Sequence, residues 1–366
     1  MTGGAGFIGS FLVDRLIKDG HKVTIYDNLE PQVHQGKIPV YLNRNARFIR
    51  ADVCDKDKLD KALKTIDVVF HKAAMVGVGQ SMYEIAKYTK TNTYGTAVLL
   101  DLIVNKHRDH IKKLIVAASM SEYGEGLYHC KVCGNIKPDL RKESEIKKRK
   151  WDLYCPKGHG QLTPKPTTET TPLFCNSIYA LNKEDQENMT MVIGKAFKIP
   201  VVALRYFNVY GPRQSLSNPY TGVAAIFISR IKAGKGPTIF EDGKQSRDFV
   251  SVHDIVTANL AVMKSKQADY QVFNVGSGSS ISITDLGGAI LSVMNTKLQL
   301  KITNDYRKGD IRHCFSDIHE IKKMVGWQPM VNFQAGMKEL VEWSEKERSN
   351  DLFEGAQKIL KLKGVL

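Results

Sequence analysis

The 366-residue sequence predicts a doubly wound α/β fold. Its parallel sheet carries helices on both faces, joined to a smaller mixed α/β substrate domain and a cysteine-bearing insertion. Three observations predict this. A GxxGxxG turn, Gly3-Gly4-Ala5-Gly6-Phe7-Ile8-Gly9, opens the chain. Short apolar runs, typical of strands buried on both faces, alternate with helical spacing through the first half. In the middle, Tyr179-Ala180-Leu181-Asn182-Lys183 puts a phenol and an ammonium four residues apart on one helix face. Glycine triplets and YxxxK each occur by chance; together, in this order, they point to a dinucleotide site and hydride chemistry at an alcohol carbon.

Residues 7–17 carry apolar side chains at helical spacing, and residues 21–27 read as the next strand. Residues 46–52, 67–71 and 114–119 are three more strands, with a helix over 96–105 among those filling the gaps. Such a Rossmann sheet binds ligands at the carboxyl ends of its strands. Residues 128–166 are polar, charged and cysteine-bearing, and read as an insertion. The sheet resumes at 201–206. The expected organisation is an NAD-binding domain over 1–127 and 167–205, the insertion at 128–166, and a mainly substrate-binding region over 206–345 with segments returning to the sheet. A helical tail over 346–366 completes it. Only Met1 and Thr2 precede the glycine turn, where this fold normally has a central strand of ~5 residues. A natural start further upstream is therefore expected, with this version destabilised.

Lys and Arg number 53 against 38 Asp and Glu, a net charge of +15. The basic residues are spread widely, with one run at 147–150 and a tail bearing Lys358, Lys361 and Lys363. No aromatic platform or helix-turn-helix pattern accompanies them, which argues against a nucleic-acid partner and for a site that holds a diphosphate. No apolar run reaches the ~20 residues of a membrane span and no signal peptide is evident, so the cytoplasm is the expected compartment. Of the six cysteines, only three cluster, which favours reduced thiols over a disulfide framework.

Gly3, Gly6 and Gly9 should form the turn into the first helix, whose N-terminus, with Phe7 and Ile8, holds a cofactor diphosphate. Asp27 ends the next strand, where a carboxylate can accept hydrogen bonds from the adenosine ribose and would repel a 2′-phosphate. NAD is thus favoured over NADP, with Asn28 beside it as a further contact. A free tyrosine with a pKa near ~10 is a poor base at neutral pH and needs a nearby positive charge. Lys183 and the nicotinamide ring would supply it, letting Tyr179 take a hydroxyl proton as hydride leaves the same carbon. Ser119 would bridge the substrate oxygen and Tyr179.

The glycine spacing and the Tyr179/Lys183 pair resemble the extended short-chain dehydrogenase/reductase family, in particular its nucleotide-sugar epimerases. Asp52-Val53 resembles that family's adenine-contacting dipeptide. His71-Lys72-Ala73-Ala74 is similar to its HxAA strand end, where Ala73 and Ala74 let the cofactor lie close. Asn92 with Gly95-Thr96 matches NxxGT, and Ser119-Met120-Ser121-Glu122-Tyr123-Gly124 matches SxxxYG, whose first hydroxyl is catalytic. Residues 205–213, RYFNVYGPR, match a further segment. There the resemblance implies a cofactor contact for Tyr206 and a substrate-diphosphate contact for Asn208. Arg247 in RDFV, and Arg307 with Asp310 in RKGD, match motifs that bring arginines to that diphosphate, a task suited to the guanidinium fork. The resemblance implies an NAD-dependent enzyme acting on a UDP- or dTDP-linked sugar; a homodimer is the expected assembly.

Dehydratases of that family place an Asp-Glu pair directly after the catalytic hydroxyl, and decarboxylases keep the Glu. Here Met120 and Ser121 stand there, with Ser121 expected to touch substrate. Glu122, one residue on, would face the other way on a strand. The keto sugar then has no evident route but hydride return, and return to the opposite face is 4-epimerisation. A dehydrogenase or dehydratase-like oxidoreductase is the enzymatic alternative. A non-catalytic RNA-binding relative is the other, which the intact Ser119, Tyr179 and Lys183 argue against. Cys130-Lys131-Val132-Cys133 and Cys155-Pro156-Lys157-Gly158-His159 form two knuckles, the second with Gly158 in place of a fourth cysteine. Cys130, Cys133, Cys155 and His159 are expected to hold a structural zinc, a metal-free relic loop being the alternative. The resemblance further implies that Cys314, four residues after Asp310, gates the sugar pocket.

Overall fold

A computed structural model describes residues 1–220 and 222–366. β1 (Thr24–Asp27) pairs with β2 (Arg47–Arg50), and β3 (Val68–His71) with β4 (Lys113–Ser119). The strands Val201–Tyr206 and Gln271–Val275 extend the sheet from β4, all parallel. Met1 and Thr2 sit between β1 and β3. Thr2 bridges Tyr26 and His71; the Tyr26 N–H donates to the Met1 carbonyl at 2.8 Å and the Thr2 N–H to the Phe70 carbonyl at 3.0 Å. The Met1 ammonium donates to the Thr24 carbonyl at 2.7 Å, and burial lowers its pKa to about 5.

Period-two alternation sends neighbouring strand residues to opposite faces, and both faces are covered. Phe70, Ile115 and Val202 meet Leu12 and Val13 of the helix Phe7–Lys18 and Ile255 of the helix Val252–Lys264. Val69, Leu114 and Val201 meet Leu59, Leu99 and Leu102 on the other side. This is why β4 is buried along its whole length.

The helix expected over 96–105 is α-helical at Gly95–Leu102 and is framed by π turns at Lys90–Tyr94 and Ile103–His107. The Asn92 side chain holds both the N–H and the carbonyl of Met75, at 2.7 and 3.0 Å, so tertiary bonds fix the first of these turns. The helix Ile178–Phe197 starts at Ser177, whose hydroxyl accepts from the Ala180 N–H at 3.1 Å. It packs tightly on the next strand because Gly194 lacks a side chain; a Cβ there would lie 2.3 Å from Val201.

In the second region the helices Val223–Lys232, Ile283–Val293 and Phe333–Glu345 enclose a separate core around Phe227, Leu286 and Met337. The insertion is a three-stranded antiparallel sheet, Leu127–Cys130 between Gly134–Ile136 and Thr163–Lys165. Buried ion pairs bind it to the second region. Arg141 bonds Glu241 at 2.9 and 2.7 Å and the Asp310 carbonyl at 2.9 Å. Asp152 accepts from Arg312, which also pairs with Asp242 and Glu241. The tail forms the helix Phe353–Leu362, whose Leu360 packs on Gly79. No helix among the described residues is long and apolar enough to cross a membrane.

Two glycine substitutions should separate close approach from mere flexibility. In Gly9→Ala the new Cβ would lie 2.2 Å from the Gly3 carbonyl oxygen, so urea unfolding should show a loss of about 1–3 kcal/mol. Gly288→Ala, mid-helix and facing open space, should instead gain about 0.5–1 kcal/mol.

Candidate active site

At the carboxyl ends of the strands lies a cavity of about 460 Å³. Gly3, Gly6, Phe7, Ile8 and Gly9 border it, as do Asp27, Asn28, Val53, Ala73 and Ala74. Ser119, Ser121, Tyr179, Lys183, Tyr206 and Asn208 border it further along. The glycine turn brings the chain against β3: a Cβ on Gly3, whose φ is +68°, would lie 2.6 Å from the Ala73 nitrogen. Gly6 precedes the first helix and no side chain caps that terminus. Amide donors therefore face the cavity without a protein partner, an arrangement suited to an anion. Asp27 accepts from the Ala5 N–H at 3.0 Å and from the Leu29 N–H at 2.9 Å. Its carboxylate thus pins the glycine turn to β1 as well as facing the cavity. The residues present fit a dinucleotide.

The Ser119, Tyr179 and Lys183 side chains converge. The Ser81 hydroxyl accepts the Tyr179 N–H at 3.0 Å, and Lys183 Nζ donates to the Ala117 carbonyl at 2.9 Å, fastening the helix to β4. Burial pushes the Tyr179 phenol up to about 12, against which a hydrogen bond with Ser119 works. Burial also lowers Lys183 to about 8. The Ser121 hydroxyl donates to Ser119 Oγ at 2.9 Å.

Residues 120–123 form a 3₁₀ turn, not a strand. Glu122 turns back beneath Ser119 and accepts its N–H at 2.7 Å, fully buried and 3.6 Å from Arg205, whose guanidinium pairs with Glu187. It faces away from the cavity, as expected, but by capping rather than by strand alternation. Burial and the neighbouring Glu187 hold its carboxyl well above the usual range.

Other expected residues stand back from the cavity wall. Asp52 accepts from the Cys54 N–H and from Asn28, at 2.8 and 3.0 Å, and Asn92 is spent on Met75. Arg247 is held by Asp310 and by the carbonyls of Ser246, Ile311 and Arg312. Arg307 stacks 4.4 Å over Phe240, with its Nε buried and unpartnered. Cys314 is fully buried behind the wall, packed with Met120, Tyr123, Phe207 and Ile311. Of these, Met120 and Phe207 reach the cavity, because Cys314 is too short to pass them. The direct gate expected at Cys314 is thus corrected to a supporting position. Several cavity residues lie outside the expected set. Among them are Lys72, inside the HxAA match and visible as a charge at an apolar strand end, and Met75, which carries no signal of its own.

In the insertion, Cys133 Sγ lies 3.8 Å from Cys155 Sγ and 3.1 Å from His159 Nδ1. Cys130 and Cys155 lie 3.9 and 3.6 Å from the same nitrogen. All four ligand atoms fall within 4.8 Å of one another. Gly158, at φ +81°, makes the left-handed bend that brings His159 round.

A glycine turn at an uncapped helix terminus, with serine, tyrosine and lysine meeting beside it, makes a candidate dinucleotide site of the doubly wound class. Residues 1–149 match the NAD dependent epimerase/dehydratase family, and residues 158–340 match the GDP-mannose 4,6 dehydratase model. The chain is 33% identical to a dTDP-L-rhamnose 4-epimerase of Burkholderia thailandensis, covering 95% of this chain and 94% of that one. It is 31% identical to a UDP-N-acetyl-alpha-D-glucosaminuronate decarboxylase of Bacillus cytotoxicus, over 96% and 98%. The crystal structure of a UDP-glucose 4-epimerase of Thermotoga maritima with UDP-glucose matches at a TM-score of 0.77 and 32% identity, over 94% and 97%. This chain belongs to the NAD-dependent epimerase/dehydratase family.

The packing around Cys314 is directly testable. Cys314→Tyr should lower stability by about 1–3 kcal/mol with no ligand present, because the ring overfills a closed cluster. An unchanged melting temperature would mean that the side chain has free space before it.

Proposed function

We propose that this protein is an NAD-dependent nucleotide-sugar 4-epimerase acting on a UDP- or dTDP-linked sugar. The observation that carries the reading is the pair after Ser119. Met120 and Ser121 border the cavity there, and neither can serve as a carboxylic acid to drive elimination. The nearest carboxyl in sequence, Glu122, is folded beneath Ser119. Relatives include a decarboxylase, so the family alone leaves the outcome open; this pair favours hydride return.

Bound NAD would accept the C4 hydride and give it back, leaving the cofactor unchanged. Tyr179 takes the O4 proton as the C4–H bond breaks, forming a 4-keto sugar, and returns a proton to O4 after the sugar has turned its other face. Lys183 and the nicotinamide charge favour the phenolate that this step needs. Ser119 holds the oxygen throughout. Asn208, with a buried, unpartnered carbonyl oxygen at the cavity, holds the nucleotide end by its amide. Arg247 and Arg307 complete that grip once their present contacts are exchanged for phosphate.

The test is incubation with a panel of UDP- and dTDP-sugars, reading the C4 configuration of the products by NMR. Tyr179→Phe and Lys183→Met should each lose turnover by at least ~100-fold while still binding NAD. Near-normal epimerisation by the phenylalanine variant would overturn the mechanism.

We also infer a structural zinc in the insertion. A tetrahedral ion with bonds of ~2.3 Å to sulfur and ~2.0 Å to nitrogen separates its ligand atoms by roughly 3.5–3.8 Å, the range around which these four cluster. Elemental analysis of protein purified without added metal should find about one zinc per chain, and Cys133→Ser should lose it. Chelation should loosen the insertion and leave NAD binding intact.

A further inference from the structure

The cavity contains a cation that the proposed chemistry does not use. Lys72 follows β3, and its side chain leaves the sheet on the same face as Phe70, two residues earlier, the face covered by the first helix. Its Nζ donates to the Tyr206 hydroxyl at 2.6 Å and lies 5.0 Å from that ring's centroid. Asn259 in turn donates to the same hydroxyl at 2.7 Å. None of these partners is anionic, and no carboxylate among the described residues offsets the charge. Burial, reinforced by the neighbouring Lys183, holds the Lys72 ammonium well below its ordinary range.

An unpaired ammonium in such a place is costly unless something neutralises it. Lys72 borders the cavity that Gly3, Gly6 and Phe7 also line, and its carbonyl carbon would lie 2.7 Å from a Cβ on Gly3; the amides of the uncapped first helix lack an acceptor in the same cavity. We propose that Lys72 is a ligand of the cofactor's diphosphate, adding a full positive charge to the amides of the glycine turn. Tyr206 and Asn259 hold the ammonium in place from behind. The assignment rests on the reading of the cavity as the NAD site and adds to it a residue that makes the cofactor hard to lose.

Nucleotide-free protein is titrated by calorimetry with NAD, ADP-ribose and adenosine, using the wild type, Lys72→Met and Lys72→Arg. Methionine keeps the unbranched stem without the charge. Lys72→Met should weaken NAD and ADP-ribose by roughly tenfold or more, the scale of one charged hydrogen bond, and leave adenosine unchanged. Lys72→Arg should recover most of the loss. With no ligand, Lys72→Met should melt close to the wild type, because the Tyr206 hydroxyl keeps its Asn259 partner. Equal NAD affinity in wild type and Lys72→Met overturns the assignment. So does an equal loss for adenosine, which would mean that Lys72 only supports the fold. A wild type that binds no NAD overturns instead the reading of the cavity.

Discussion

The bond from the Lys183 ammonium to the Ala117 carbonyl is the fixed point of the molecule. It joins the long helix Ile178–Phe197 to the last turn of β4, the strand that ends at Ser119. Tyr179 is therefore placed with respect to Ser119 by one bond and one helical turn, not by the chain between them. Ser81 adds a second tie at the tyrosine's own N–H, and Gly194 lets the far end of the helix lie flat on the next strand. The glycine turn then sets the cofactor side against this frame, with Asp27 holding the turn to β1.

Electrostatics divides the cavity. Its cations, Lys72 and Lys183, and the free amides of the first helix lie toward the sheet's carboxyl edge. The carboxyl groups nearest Ser119 are withdrawn beneath it, where Arg205 bonds Glu187 and Glu122 keeps one oxygen unpartnered. With two carboxyls sharing one guanidinium, Glu122 is held toward its protonated form. Ionised, it would push the Tyr179 phenol further up; held neutral, it does not.

Much of this was legible in the sequence, and the parts that were not share a cause. Strand runs such as 67–71 and 201–204 show themselves because a strand buried on both faces is mostly apolar. The glycine turn, Tyr179 and Lys183 show themselves because their spacing is dictated by chemistry. The first π turn before Gly95–Leu102 does not, since Asn92 fixes it by bonding Met75, seventeen positions away. Glu122 looked like a strand residue because its role depends on Arg205 and Glu187, which local spacing cannot reveal. Cys314 failed as a gate because depth behind Met120 and Phe207 is a property of packing. Arg247 and Arg307 sit in recognisable motifs, yet their contacts here are with the protein.

The insertion leaves the main body at Leu127 and returns to it at Lys165, and these two residues face each other across a strand pair. Its ends are thus held about one strand spacing, ~4.8 Å, apart. Once Leu127 and Lys165 are paired, the insertion behaves as a short connection. The entropy of bringing Ser119 to Tyr179 is then set by the few residues on either side of it, not by the length of chain it contains. What looks like a detour in the polypeptide is, for assembly, a shortcut.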